Sequence, residues 1–145
     1  MLWSVALADL DPAFRAKLEP VLAGLEARGY TPVVSTTWRG DAVQDVLAAT
    51  GASNATAGKS CHNRVAPDGS PAARAADVWS RPMDLALFAG LSWRLEVEAP
   101  FLRVLGELAH RHGLRWGGDW RGRASAWDTY GLGWDPAHVE LPPCG

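Results

Sequence analysis

A single α+β domain, with a small and mostly antiparallel sheet flanked by helices, is the fold this sequence predicts. Two segments place apolar residues at helical steps. Several short segments rich in Val, Thr or Trp read as strands. Gly- and Pro-bearing turns separate these elements at short intervals. A chain of 145 residues fits one domain and buries a real core, so residues 1–145 are expected to form one unit.

Asp11-Pro12 opens the first helix, with Asp11 as N-cap and Pro12 at the first helical position. Phe14, Leu18, Val21, Leu22 and Leu25 follow on one face, and Gly29 suits the C-terminal cap. Pro20 is a point where that helix kinks or divides. Thr31 to Trp38 reads as a strand, and Asp41 to about Thr50 as a short helix. Gly51 to Lys59 is small and polar, hence a loop. Ser60 to Trp79 reads as a hairpin turning at Pro67-Asp68-Gly69-Ser70. If Ala66 pairs with Pro71, His62 lies opposite Ala75. Asp77 is then a diagonal neighbour at roughly 7–8 Å on the same face. Ser80 to Glu98 carries no clear pattern. Pro100 to His112 is a helix with Phe101, Leu102, Leu105 and Leu108 inside. Leu114 to Trp116 and His138 to Leu141 read as short strands, the second stopped by Pro142-Pro143.

Composition excludes several classes. Hydrophobic residues make up 48% and charged residues 21%, and the net charge of −2 gives no footprint for nucleic acid. Sparse Lys and Arg argue against an anionic membrane surface. No segment reaches the ~20 apolar residues of a membrane helix. Met1 to Asp9 is apolar but short and lacks a basic region, so no cleaved signal peptide is expected. Synthesis in the cytoplasm follows. Two cysteines, Cys61 and Cys144, are too few for a disulfide framework; two buried or free thiols are the simpler expectation, and a disulfide between them stays open because sequence alone does not decide it. Cys61 is disfavoured as a metal ligand, because in an extended segment it points away from its neighbour His62.

The residues that carry chemistry are spread along the chain. His62, Asp77 and His138 provide two imidazoles and one carboxylate, a zinc shell that leaves the fourth position to water. Asp135 stands three residues before His138, close enough on a helical turn to take a proton. Taken singly, each is more simply a structural or surface residue. Asp119 is a tempting false ligand that more simply holds its loop through backbone hydrogen bonds. His110 and His112 are two apart on a helix and face different directions.

The motifs occur in a telling order: Ser60-x-His62, Ala75-x-Asp77, Trp116-Gly117-Gly118-Asp119-Trp120 and Asp135-x-x-His138-x-Glu140. From about Tyr30 to Leu141 the chain resembles the zinc D-Ala-D-Ala and L-alanyl-D-glutamate peptidases. That family includes phage endolysins and is related in its core to hedgehog domains. The resemblance implies zinc as cofactor, His62, Asp77 and His138 as its ligands, and Asp135 as general base. It implies that Arg39 binds the scissile carbonyl oxygen or a substrate carboxylate, a task suited to its permanent charge and planar fork. Gln44, Ser60 and Trp120 are implied at the substrate, and Ser60 is implied to orient the His62 segment by a hydrogen bond, although Gln44 alone reads equally as a helix cap and Ser60 as a polar loop residue. One departure stands out. Fourteen residues, Asn63 to Ala76, separate the first His from the Asp, more than in the family's motif, and the glycine usual after that His is missing.

The resemblance thus implies a zinc peptidase of peptidoglycan stem peptides, of the L-alanyl-D-glutamate endopeptidase type. The implied protein is a monomer without a separate wall-binding module. It reaches the bacterial wall as a phage lysis or virion protein. A D-Ala-D-Ala carboxypeptidase or dipeptidase is one alternative. A non-catalytic, zinc-stabilised binding or virion protein is the other, and the presence of Asp135 weighs against it, because a structural site needs no base.

Overall fold

A computed structural model describes residues 1–145. Asp11 caps helix α1 (Pro12–Ala27) as its side chain accepts from the N–H groups of Ala13 and Phe14, at 2.9 and 3.3 Å. Phe14, Leu18, Val21 and Leu25 are its buried face, and Pro20 is accommodated within it. Strand β1 (Pro32–Thr36) leads to helix α2 (Asp41–Ala49), and strand β2 (Ala75–Ser80) runs into helix α3 (Arg81–Ala89). Ser80 caps α3 by accepting from Met83 N–H. Helix α4 (Leu95–Arg111) begins one turn earlier than the periodicity predicts and carries Pro100 inside it. Strands β3 (Arg115–Trp116) and β4 (His138–Glu140) complete the sheet.

The strand order is β1-β2-β4-β3, and each neighbouring pair is antiparallel. This is the expected α+β architecture. Helices α1 and α4 pack together, and both contribute to one core of 21 buried residues. Phe14, Leu18, Phe101, Leu102 and Leu105 meet Val78 and Val139 of the sheet there. At about 1.5–3 kcal/mol per fully buried large apolar side chain, this core is what drives the fold.

The segment before β2 departs from expectation. Ser60 to Trp79 is not a regular hairpin. Its turn does form near Pro67–Ser70, but the bridge pairs Val65 with Pro71 instead of Ala66. His62 lies on a short 3-10 turn, Cys61–Asn63, and not on a strand. Asp77 takes its partners elsewhere: it sits opposite His138 on β4 and Thr36 on β1. The free-thiol expectation is also overturned. Cys61 and Cys144 form a disulfide, with Cα atoms 4.3 Å apart. Cys61 opens the 3-10 turn, and from there it meets Cys144 in the tail that follows β4.

No helix is long and apolar enough to cross a membrane.

Candidate metal centre

Two of the three expected ligands are fixed by the sheet. Asp77 and His138 face one another across β2 and β4, and the antiparallel ladder sets their separation. The third ligand comes from outside the sheet. Ser60 accepts from His62 N–H at 3.1 Å, and Arg39 N–H donates to His62 O at 2.8 Å, which ties the 3-10 turn to the end of β1.

The ring orientations are set by acceptors. His62 Nδ1–H donates to Thr37 O at 2.7 Å, and His138 Nε2–H donates to Glu140 at 2.6 Å. A carbonyl and a carboxylate only accept, so these contacts fix which nitrogen carries hydrogen. The opposite nitrogens converge with Asp77. His62 Nε2 lies 3.2 Å from His138 Nδ1, and each lies 3.3 Å from Asp77 Oδ1. Ligands at 2.0–2.1 Å around a tetrahedral zinc stand about 3.3 Å apart, the edge of such a tetrahedron. Asp77 Oδ1 is moreover buried without a hydrogen-bond donor. Three acceptor atoms crowded face to face repel one another unless a cation or a proton lies between them. The donor set of two imidazoles and one carboxylate is one that zinc accepts. The residues present therefore fit a metal ion.

Charge in the ion-free site follows the same logic. Burial disfavours the charge on Asp77, yet His62 and His138 hold its carboxyl well below the usual range. Burial lowers the His62 pKa and keeps that ring neutral, against the pull of Asp77. Burial also opposes protonation of His138, but its hydrogen bonds to Asp77 and Glu140 outweigh this and raise it to about 10. A proton between His138 and Asp77 thus stands where a dication fits.

Asp135 lies beside the triad, with Oδ2 3.9 Å from His138 Nδ1. Burial, followed by the charge of Asp77, raises its carboxyl to about 6. The glycines of Trp116-Gly117-Gly118-Asp119-Trp120 explain how it gets there. A Cβ on Gly117 runs into the Asp135 carbonyl, and one on Gly118 runs into the Trp116 indole. Trp116 is a core residue whose Nε1–H donates to Pro136 O at 2.6 Å, which anchors the Asp135–His138 turn from beneath. Asp119 is not a ligand. It pairs with His110 through its side chain, not through the backbone bonds expected of it.

The site opens into a cleft of about 770 Å³ lined by Arg39, Ser60, Trp120, Trp134 and Asp135 among others. Arg39 reaches Asp77 Oδ2 at 3.2 Å and Gln44 Oε1 at 3.4 Å. Gln44 is fully buried and is not a cap, since its amide donates to Ser53 Oγ at 3.0 Å and to Ala55 O. It thereby holds the 53–55 loop beside the cleft. The Trp120 ring lies tilted against the His138 ring, with centroids 4.9 Å apart. All the sequence-predicted site residues therefore lie at or around one site.

Sequence reasoning gave no role to three contributors, although Glu140 stands in the quoted motif. Glu140, two residues after His138 on the same strand face, has a readable signal, because residues i and i+2 of a strand point the same way. Thr37 contributes only a carbonyl, which no side-chain pattern reveals. The disulfide joins positions 83 apart in sequence and has no local signal.

The fold is that of known peptidases. Two solved structures share it. One is Serratia marcescens L-Ala D-Glu endopeptidase ChiX, at a TM-score of 0.57 and 23% identity over 94% of this chain and 83% of that one. The other is the LdcB LD-carboxypeptidase, whose structure reveals the molecular basis of peptidoglycan recognition, at a TM-score of 0.50 and 16% identity over 90% of this chain. This chain spans 58% of the length of the LdcB structure. No family model and no curated protein matches the sequence.

Proposed function

We propose that the chain is a zinc-dependent peptidase of peptidoglycan stem peptides, most simply an L-alanyl-D-glutamate endopeptidase. The observation that carries this reading is the triangle of His62 Nε2, His138 Nδ1 and Asp77 Oδ1, whose sides of 3.2 and 3.3 Å match the edge of a tetrahedral zinc shell. The fold shared with an L-Ala D-Glu endopeptidase and an LD-carboxypeptidase supports the substrate class.

His62, Asp77 and His138 hold the ion. Zinc so bound supplies a Lewis acid and lowers the pKa of a bound water to ~7. Asp135 accepts the proton of the attacking water and delivers it to the leaving amine nitrogen. Its Oδ2 lies 3.9 Å from His138 Nδ1, beside the ligand set, where one carboxyl group serves first as base and then as acid. Arg39 orients Asp77 through Nη2, and its remaining N–H donors serve the scissile carbonyl oxygen as that oxygen gains charge. Gln44 keeps Arg39 and the 53–55 loop in place, Ser60 holds the His62 turn, and Trp120 forms a wall against the peptide. Glu140 fixes the His138 tautomer, a support that raises the basicity of a ligand imidazole. The presence of a base beside the triad disfavours a purely structural metal site.

Digestion of purified peptidoglycan, with products identified by mass spectrometry, tests the proposal. New L-alanine C-termini and D-glutamate N-termini are expected in the presence of zinc, and none after chelation. Release of terminal D-alanine alone assigns a carboxypeptidase instead. The absence of any product contradicts the peptidase reading. Asp135→Asn should keep its zinc and slow hydrolysis by about 10²–10⁴. Unchanged turnover in that variant removes Asp135 from the mechanism.

A further inference from the structure

One wall of the cleft is an aromatic row that starts at the metal centre. The Trp120 ring lies 4.9 Å from His138, and Trp134 lies 5.2 Å from Trp120. The guanidinium of Arg123 then lies 4.7 Å from the Trp134 centroid. The facing wall is the Ala52–Ala55 stretch, anchored by the buried Gln44. Arg123 connects the two walls, because its Nη2–H donates to Gly51 O at the start of that stretch. It is the last group of the row and stands exposed at the rim of the cleft, just outside the residues that line it.

The other cations at the cleft are mostly committed. Arg39 holds Asp77 and Gln44, Arg115 lies 3.5 Å from Glu140, and both Nη groups of Arg121 donate to the carbonyls of Gly118 and Gly131. Arg123 has five N–H donors, of which one is used, and no carboxylate within ion-pair distance, although its charge acts on Asp135 from further off. Stacking on an indole holds a guanidinium plane in place while leaving its edge free, and that edge matches a carboxylate in two parallel hydrogen bonds. Peptidoglycan stem peptides carry such groups at the α-carboxyl of D-glutamate and at the C-terminus.

We propose that Arg123 is a specificity-determining residue that stands at the rim of the cleft and receives a free carboxylate of the peptide substrate. The inference rests on the peptidase reading above. It predicts a preference for acidic over amidated stem peptides that depends on Arg123 and not on the metal ligands.

The test uses the zinc-loaded full chain and three forms of one stem tetrapeptide. These are the free acid, the C-terminal amide, and the form amidated at the D-glutamyl α-carboxyl. The wild type should favour the free acid, and whichever amide loses that advantage identifies the carboxylate bound. Arg123→Ala should raise KM for the acid by about 10- to 100-fold, the value of charged hydrogen bonds, with kcat within a few-fold. It should leave the disfavoured amide unchanged. Arg123→Lys keeps the charge without the fork and should fall between. Equal losses on acid and amide, or a preference that survives Arg123→Ala, overturn the proposal. So does a Lys59→Ala variant that abolishes the preference while Arg123→Ala keeps it. Equilibrium binding of the same peptides, read by tryptophan fluorescence in the Asp135→Asn background, separates this inference from the peptidase reading. Arg123-dependent discrimination without hydrolysis by the wild type upholds the carboxylate site and sinks the peptidase. Binding of none of the three sinks both.

Discussion

The metal centre is built by two regions that hold their ligands in different ways. Asp77 and His138 stand opposite each other on β2 and β4, as the end pair of their antiparallel ladder in a sheet that backs onto the core. His62 stands on a 3-10 turn outside the sheet. Its position depends on Ser60, on the Thr37 carbonyl, on Arg39 N–H and on the neighbouring disulfide. The sheet ligands are placed by general features of the fold, whereas the turn ligand is placed by a few specific contacts. Damage to those contacts should therefore reach the metal through His62, and damage within the sheet should reach it through His138.

The largest effect of that kind belongs to the disulfide. It joins the residue before His62 to the tail that follows β4, and it closes a loop of 83 residues. Cys144→Ser, or reduction of the bond, should cost about 2–4 kcal/mol of stability in chemical denaturation. Zinc affinity should fall with it, because the His62 turn loosens. A variant of wild-type affinity shows that the turn is held without the bond and erases the contrast between the two regions. Next comes Glu140→Gln on the sheet side. Loss of the carboxylate on His138 Nε2 should weaken zinc by about 10- to 100-fold, read by competition with a chelator. A smaller loss there than from Cys144→Ser places the weaker hold at His62, as described.

How much of this was visible in the sequence divides along the same line. Helices α1 and α4 were legible because the caps and apolar steps of Asp11 to Leu25 and of Phe101 to Leu108 are local. The ligand types were legible because their motifs stand in order. The pairing was not. The ladder joins Asp77 to His138, 61 positions further along the chain, and hydrophobic patterning cannot set a register between strands so far apart. The expected hairpin failed because it assigned His62 to a strand. The residue's actual hold comes from backbone groups of Thr37 and Arg39, which have no side-chain signature.

Protons sharpen the comparison with a smaller effect. In the ion-free site the bound proton sits on His138, raised to about 10, while burial keeps His62 neutral. Zinc must displace that proton. Because the folded pKa lies above the unfolded value, the proton's own contribution to stability is complete below about 6.5 and is lost as pH rises through about 10. Zinc affinity runs the other way and should increase with pH up to about 10, by at most about tenfold per unit. Calorimetry in buffers of different ionisation enthalpy counts the released proton. In Glu140→Gln the release should shrink, since that hydrogen bond helps to raise His138. An unchanged release locates the proton elsewhere.

The most direct test of the central claim is the zinc content of the purified wild type, His62→Ala and His138→Ala proteins after equilibrium dialysis. If one ion is held between the turn and the sheet, the wild type retains one zinc per chain and both variants lose it while staying folded. Near-stoichiometric zinc in both variants contradicts the assignment of the site.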